Sequence, residues 1–424
     1  MNTYESNVMA ELFKEEGYEI ADFEDFADVY VVNTCTVTNM SDRKSRQILR
    51  RAKEINPNSI LCVVGCYVQV NSEELAKLEY IDILLGTNDR RNIVKYVKEF
   101  EKCGQNTDVT SSAVISKKIN AVSDIMKRQE YIEWGGTAYT PHARAEIKIQ
   151  DGCDRFCTYC IIPYARGPVR SRESSEIVKE VERLVQFGIK EIVITGIHIS
   201  SYGKDLKSEE SLIDVLEKVN SINGVERIRL GSLEPLIITN DFITRLKKLE
   251  KVCNHFHLSL QSGCNETLKR MNRRYSVDDF RNIVKIIRDN IEDVALTTDI
   301  IVGFPGETEE EFNETYEFLK EICFSKMHVF KYSPRKGTKA ASFPNQVDGN
   351  IKSKRSDILI QLSNKNEKDF ASQYIGKQIE VLFENEEEGH TSNYIKVIEE
   401  TKKKKAGNIR VVTPKKYQGG SLYF

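Results

Sequence analysis

Long hydrophobic runs are missing from this 424-residue sequence: the longest, residues 60–70, falls far short of the ~20 that a membrane span requires. Glu5 also breaks any amino-terminal export pattern, so a membrane or secreted protein is excluded on this reading and a cytoplasmic one is expected. Net charge is nearly absent as well, because 62 basic residues face 64 acidic ones. That excludes a uniformly basic nucleic-acid coat protein and an acidic disordered tail, and confines any RNA contact to local patches. Prolines number only nine and 40% of residues are hydrophobic, which suits a folded globular chain. With domains of roughly 100–200 residues, the length corresponds to about three of them. No internal repeat is present, and the short charge runs at 386–388 and 402–405 are expected to be solvated loops.

Ten cysteines are there, and without an export signal they do not form a disulfide framework. Reduced thiols are either buried packing groups or metal ligands, and spacing decides between them. Cys103, Cys253, Cys264 and Cys323 stand alone and are expected to pack. Cys153, Cys157 and Cys160 fall within eight residues.

Helix and strand patterns alternate along the first hundred residues, with helices at 4–16 and 42–53 and strands at 28–32, 59–65 and 81–85. This predicts an N-terminal doubly wound parallel α/β domain over residues 1–100. Residues 101–140 show no period and read as a linker, with Trp134 placed to pin it to a neighbour. A second alternation over 141–370 has strands at 145–150, 191–196, 227–231, 256–260, 294–301 and 327–332, which predicts a partial (βα)6 barrel. Ser175 is expected to cap a helix at 176–186, and Thr308 with Glu311 to form a capping box. The charged helical segment 351–370 leads to a small all-β module over 371–424, with strands at 378–384, 393–398 and 408–412.

The segment 152–160 (GCDRFCTYC) directly follows the first barrel strand. Its spacing also fits one face of a helix, but Gly152 and Pro163 bracket it as a loop. A structural zinc site would need a fourth ligand, for which His142 is the only near candidate. Iron–sulfur ligation is the stronger reading, since three cysteines on a four-iron cluster leave one iron open for chemistry. A polar or glycine-rich motif follows every later strand: Gly196 and His198, Ser232 and Glu234, Gln261, Gly303 and Gly306, then Tyr332 to Arg335. Together they predict one cofactor pocket at the carboxyl ends of the strands. In the N-terminal domain Cys35 and Cys66 each follow a strand and emerge at one sheet edge, whereas Cys62 lies inside its strand and packs.

The CxxxCxxC triplet, with Tyr159 before its third cysteine, resembles the signature of the radical S-adenosylmethionine superfamily. The whole chain resembles the methylthiotransferase family within it, on residues 2–6, 33–38, 161–172 (IIPYARGPVRSR), 196–206, 260–275 and 389–397. The resemblance is greatest to the tRNA enzymes that act on N6-threonylcarbamoyladenosine at position 37, beside the anticodon. Relatives acting on isopentenyladenosine tend to carry an acidic residue where Val169 and Arg170 stand, and those modifying a ribosomal protein also differ there. A methylthiotransferase would bind two [4Fe-4S] clusters and S-adenosylmethionine. Cys153, Cys157 and Cys160 would hold the radical cluster, and Cys35 and Cys66 an auxiliary one that carries sulfur. Tyr159, Gly196, His198, Glu234, Gln261, Gly303 and Gly306 would contact S-adenosylmethionine. The terminal module would be a TRAM domain. The family's first auxiliary cysteine precedes the segment matched by residues 2–6, so the native chain is expected to begin upstream of Met1.

Partners implied by the resemblance are a tRNA anticodon loop, an electron donor of flavodoxin or ferredoxin type, and a sulfur source, with no membrane. Arg166, Arg170, Arg172, Arg273, Arg274 and Arg335 cluster near the motifs and are expected to form a phosphate-binding rim. Tyr394, Phe383 and nearby lysines of the module would add grip on RNA or form its core. Methylthiolation of isopentenyladenosine or of a protein is the alternative, and a non-catalytic zinc-containing RNA-binding protein a remote one.

Overall fold

The computed structural model describes residues 2–105, 118–127, 130–133, 143–400 and 407–424, without the side chains of residues 2 and 103–105. Trp134, His142 and the lysines of 402–405 lie outside the described residues, as does the Cys103 side chain. No described helix is long and apolar enough to cross a membrane.

The N-terminal unit runs α1 (Asn2–Glu15), β1 (Val29–Thr34), α2 (Asn39–Ile55), β2 (Ile60–Gly65), α3 (Cys66–Ala76), β3 (Ile83–Leu85), α4 (Ile93–Gln105) and β4 (Ile119–Ala121). Its four strands pair in parallel in the order β1-β2-β3-β4. The apolar run of β2 is uninterrupted because both faces are covered. Leu61 and Val63 pack with Leu49 and Ala52 of α2 and Tyr67 and Val68 of α3. Cys62 and Val64 turn the other way, onto Val8 and Phe13 of α1 and Val97 of α4, which makes Cys62 the packing residue expected. Helices on both faces are the doubly wound arrangement read from the sequence. β4 is a correction, since it pairs with β3 inside the stretch expected to be a linker. Three residues are too few to display a period.

The central unit comprises β5 (Arg144–Asp151), α5 (Ile162–Arg166), β6 (Arg170–Ser171), α6 (Ser174–Gln186), β7 (Glu191–Gly196), α7 (Leu212–Ser221), β8 (Arg227–Leu230), α8 (Asn240–Leu246), β9 (His255–His257), α9 (Asn265–Arg270), α10 (Val277–Asn290), β10 (Ala295–Val302), α11 (Glu309–Ile322) and β11 (Lys326–Lys331). β5, β7 and β8 are parallel, as are β9, β10 and β11, and parallel bridges Ile228↔Val252 and Leu233↔Leu258 join the two sets into a six-stranded partial barrel. One core fills it, with Ile147, Ile192 and Ile194 of the strands against Ile177, Leu184 and Leu216 of the helices. Each such buried aliphatic chain contributes roughly 1.5–3 kcal/mol. The box of Thr308 and Glu311 is present on α11. α6 starts after Glu173 and not at a Ser175 cap, because Ser174 already has helical backbone. Cys253 and Cys264 are buried as expected, whereas Cys323 is exposed at the left-handed C-cap of α11.

α12 (Gly349–Ser372) leads to β12 (Ile379–Phe383), β13 (Glu388–Thr391), β14 (Lys396–Ile398), β15 (Ile409–Val412), β16 (Lys416–Gln418) and β17 (Ser421–Tyr423), a six-stranded sheet in the order β15-β12-β13-β14-β17-β16. Three of these strands were not expected, and Glu388 opens β13 where a loop was read. The turn between β13 and β14 plugs the amino end of the barrel. Arg229 Nη1 donates to the Ser392 carbonyl at 2.9 Å, Arg227 Nη1 to that of His390 at 2.9 Å, and Asn254 N to Ser392 Oγ at 3.1 Å. A cavity of about 800 Å³, lined by His255, His257, His328 and His390 among others, lies at this junction. The carboxyl end of the barrel is left to face the N-terminal unit.

Candidate active site

The loop after β5 is held in shape by backbone contacts. Gly152 has φ 73°, and a Cβ there would sit 1.8 Å from the Pro168 carbonyl oxygen, so no other residue fits. Cys153 N donates to Gly167 O at 3.0 Å, Thr158 N to Met271 O at 3.1 Å, and Asn272 Nδ2 to Phe156 O at 3.2 Å. Cys153, Cys157 and Cys160 are all half-buried. Burial pushes the Cys153 thiol up to about 11, with the neighbouring Cys157 adding to it, and the Cys160 thiol up to about 12. Metal-free Cys153 and Cys160 are therefore protonated at neutral pH, and ligation would release their protons. Backbone N–H groups of Arg155 and Ile162 already aim at the Cys153 and Cys160 sulfurs. Among the described residues no three His, Cys, Asp or Glu side chains converge as tightly as one metal ion requires. Three neighbouring thiols with backbone amide donors are the ligand set that an iron–sulfur cluster with one open iron would use.

Around the loop, residues from several strand ends form a connected wall. Arg273 donates to Cys157 Sγ at 3.4 Å and to Glu234 Oε2 at 2.8 Å. Glu234 is buried after β8; burial alone would raise its carboxyl, but His198 and Arg273 hold it below the usual range. The His198 ring lies 3.6 Å from Glu234 Oε2, longer than a hydrogen bond, and both its nitrogens are buried without a hydrogen-bond partner. Two unsatisfied imidazole nitrogens beside a carboxylate form an edge that a polar ligand can satisfy. Gln150 organises this edge, accepting from His198 N at 2.7 Å and donating to Gly152 O at 2.8 Å. On the apolar side Tyr159 meets Phe304 edge-on, with ring centroids 6.3 Å apart, and Phe304 meets Tyr332 at 5.3 Å. Gln261, four residues beyond β9, takes φ 71° and forms a parallel bridge to Ile300.

The three glycines have protein reasons to be small. A Cβ on Gly196 would lie 2.8 Å from Ile199 Cγ2, and one on Gly303 would lie 2.3 Å from Lys352 Cγ. Gly303 and Gly306 also have positive φ, 68° and 78°. Close packing and turn geometry therefore account for them without an approaching ligand.

At the N-terminal sheet, Thr34 pairs with Gly65, so Cys35 and Cys66 are the first residues beyond the ends of two adjacent parallel strands. Cys35 is half-buried and Cys66 buried. Barrel residues hold both. Arg335, after β11, donates to Thr36 Oγ1, to Asn39 Oδ1 at 2.6 Å and to Asp42 Oδ2 at 2.6 Å, clasping the turn that follows Cys35. Arg166 of α5 donates through Nε to Cys66 Sγ at 3.0 Å. Its other edge pairs with Glu5 and Asp151, and these bind Arg90, Lys148 and Arg170 in turn. Burial would raise the Glu5 carboxyl, but Arg166, Arg90 and Lys148 outweigh it and hold it well below the carboxylate range.

This network corrects the expected phosphate rim. Arg166, Arg170, Arg172 and Arg335 are at most 5% exposed. Arg170 donates to Asn88 Oδ1 at 2.7 Å, and Arg172 pairs with Glu180 and Glu133. Arg273 is committed to Cys157 and Glu234. Of the six, Arg274 alone is exposed and without a hydrogen bond or ion pair among the described residues. Lys269, Arg43 and Lys44 are exposed too, the last two on α2, whose first residue Asn39 meets Ser333 Oγ at 3.2 Å beside the barrel mouth. Phe383 is core in the module, and Tyr394 is stacked on His390 and capped by Arg229. Sequence reasoning missed the cysteine contacts of Arg166 and Arg273; proximity to the thiol motifs was the available signal.

Residues 147–319 match the Radical SAM superfamily, and residues 1–86 match the uncharacterized protein family UPF0004. The chain is 45% identical over 407 residues to the threonylcarbamoyladenosine tRNA methylthiotransferase MtaB of Bacillus subtilis (strain 168), covering 94% of this chain and 88% of that one. It is 39% identical over 412 residues to the protein of the same name from Aquifex aeolicus (strain VF5), covering 97% of each. A tRNA-2-methylthio-N(6)-dimethylallyladenosine synthase of Clostridium tetani (strain Massachusetts / E88) is 38% identical over 392 residues, with 91% and 83% covered. Among solved structures, the radical S-adenosylmethionine methyltransferase TsrM from Kitasatospora setae, with cobalamin and a [4Fe-4S] cluster bound, superposes with a TM-score of 0.58 over 80% of this chain and 74% of that one. At 14% identity this is a likeness of fold alone.

Proposed function

Because this chain belongs to the radical S-adenosylmethionine tRNA methylthiotransferases, we propose that the site above serves methylthiolation at C2 of N6-threonylcarbamoyladenosine in the anticodon loop of tRNA. The carrying observation is the 45% identity, over 94% of the chain, to an enzyme named for that nucleoside. The enzyme uses S-adenosylmethionine and two [4Fe-4S] clusters. Bound there, they supply a radical and sulfur for an adenine C2–H, which has no acidic proton and no leaving group.

The chain's own residues divide this work. Cys153, Cys157 and Cys160 are assigned to the radical cluster, and Cys35 and Cys66 to the auxiliary one. His198 and Glu234 offer the open polar edge for S-adenosylmethionine; Arg273 ties that edge to Cys157 and holds the Glu234 carboxylate charged. Tyr159, Phe304 and Tyr332 wall the apolar side and exclude water. Lys269, Arg274, Arg43 and Lys44 provide exposed positive charge for the RNA backbone. An unpaired anticodon loop presents its base at small cost.

The finer reading places the N-terminal domain to about residue 121, where β4 closes its sheet, followed by the barrel and, from residue 371, a TRAM module. It includes a cytoplasmic location, an electron donor of flavodoxin or ferredoxin type and a separate sulfur source. Relatives at 38% identity named for dimethylallyladenosine make that nucleoside the second reading. Nucleoside mass spectrometry of tRNA from a deletion strain separates the two. The 2-methylthio form of threonylcarbamoyladenosine is expected to vanish while the dimethylallyl counterpart stays; its persistence would overturn the assignment.

A further inference from the structure

Arg166 is spent on neither substrate nor surface. It is 1% exposed, and its Nε–H points at the sulfur of Cys66 at 3.0 Å. Two features set this contact apart from a chance approach. The guanidinium is fixed on its far side by Glu5 and Asp151, both buried carboxylates, so its direction is dictated by the network and not by the thiol. The residue also lies in α5, which begins two residues after Cys160, while Cys66 opens α3 of the other domain. One side chain thus runs from the radical-cluster loop to an auxiliary-cluster cysteine. Asp151 continues the connection, accepting from Gly152 N at 2.8 Å at the root of the Cys153 loop.

Hydrogen bonds to ligating sulfur, local charge and solvent exclusion are the main protein levers on the potential of an iron–sulfur cluster. Arg166 supplies all three at Cys66: a charge-assisted donor, a permanent cation, and burial. We propose that Arg166 is a positioning residue for the auxiliary cluster, orienting the Cys66 sulfur and raising the cluster's reduction potential. Adding one electron makes the cluster more negative, and a fixed cation at its ligand favours that state; no bond forms or breaks in the step. The inference rests on Cys66 being a cluster ligand.

The test uses the full chain with Cys153, Cys157 and Cys160 each changed to Ala, reconstituted anaerobically so that iron can be held only at the auxiliary site. Protein labelled with ¹⁵N-arginine is reduced by one electron from dithionite and examined by pulsed electron paramagnetic resonance. A ¹⁵N coupling is expected, and it disappears in Arg166→Lys, whose amine is unlabelled. Potentiometric titration is expected to give a lower potential in Arg166→Gln and a smaller fall in Arg166→Lys, which keeps the charge. A cluster with no ¹⁵N coupling, or with equal potentials in all three proteins, overturns the proposal alone. A chain that takes up no iron removes the assignment of Cys35 and Cys66 and the proposal with it. Absence of the coupling overturns the proposal with no change at position 166, so the proposal can fail even where a substituted network does not fold.

Discussion

His255 lies where the terminal module plugs the barrel, and its burial makes the junction sensitive to acid. Desolvation, followed by the charges of Arg229, His257, His328 and His390, lowers its pKa from 6.5 to about 3. The ring is 6% exposed; Nε2 shares the Thr297 hydroxyl at 3.0 Å, and Nδ1 has no hydrogen-bond partner. A histidine with a lowered folded pKa stays neutral in the fold and takes a proton when the junction opens. Its contribution is therefore complete above the ordinary pKa and is lost as pH falls from there toward the folded value. From about pH 7 to about pH 5.5 the loss is about 1.3 kcal/mol, roughly an eightfold change in the opening equilibrium. Hydrogen exchange of the peptide spanning Thr391 to Ile395, whose amide and carbonyl groups pair at 3.1 Å, reads that opening directly. After correction for intrinsic rates, protection is expected to fall five- to tenfold across this range in the native protein and much less in His255→Asn. Equal falls in both proteins would refute the assignment of the effect to His255.

Three further outcomes follow from the same geometry. Gly152→Ala forces a Cβ onto the Pro168 carbonyl, so anaerobic reconstitution is expected to load several-fold less iron at the radical loop while far-UV ellipticity is unchanged; full loading would contradict the loop geometry. Arg172→Ala removes the buried ion pairs that Arg172 makes with Glu180 and Glu133 and is expected to cost about 1–3 kcal/mol in urea unfolding. Folded Arg172→Ala protein should bind tRNA as before, and a selective loss of tRNA affinity would restore the rim reading of that arginine. Arg274→Glu, at an exposed and unpaired position, is expected to leave stability within about 0.5 kcal/mol. It should weaken tRNA binding and flatten the salt dependence by about one ion, as measured by filter binding at several salt concentrations.

The long elements were readable because their patterns are local. The β-branched stretch of β1, the double-sided apolar run of β2 and the Thr308 box each announce themselves within a few residues. So does the thiol triplet, whose spacing is itself the signal. β4, β16 and β17 escaped because three residues show no period, and their pairing depends on neighbours far along the chain. The arginines failed for a related reason. Arg166 and Glu5 are 161 positions apart, and nothing beside either one announces that folding will bury them together. A basic residue near a functional motif reads as a surface charge until its acidic partner is found, and Arg335 found Asp42 only across the domain junction. The candidate site was thus legible as a set of strand ends, but not as a division between groups that touch ligand and groups that hold the wall.

The central claim is the choice of nucleoside. Anaerobically reconstituted full chain, given S-adenosylmethionine, a reductant and tRNA carrying either N6-threonylcarbamoyladenosine or N6-dimethylallyladenosine, can be assayed by mass spectrometry of the digested nucleosides. The account predicts the 2-methylthio form of the threonylcarbamoyl nucleoside, together with 5′-deoxyadenosine, from the first tRNA only. Conversion of the dimethylallyl tRNA in preference, or release of 5′-deoxyadenosine with neither nucleoside altered, would contradict it.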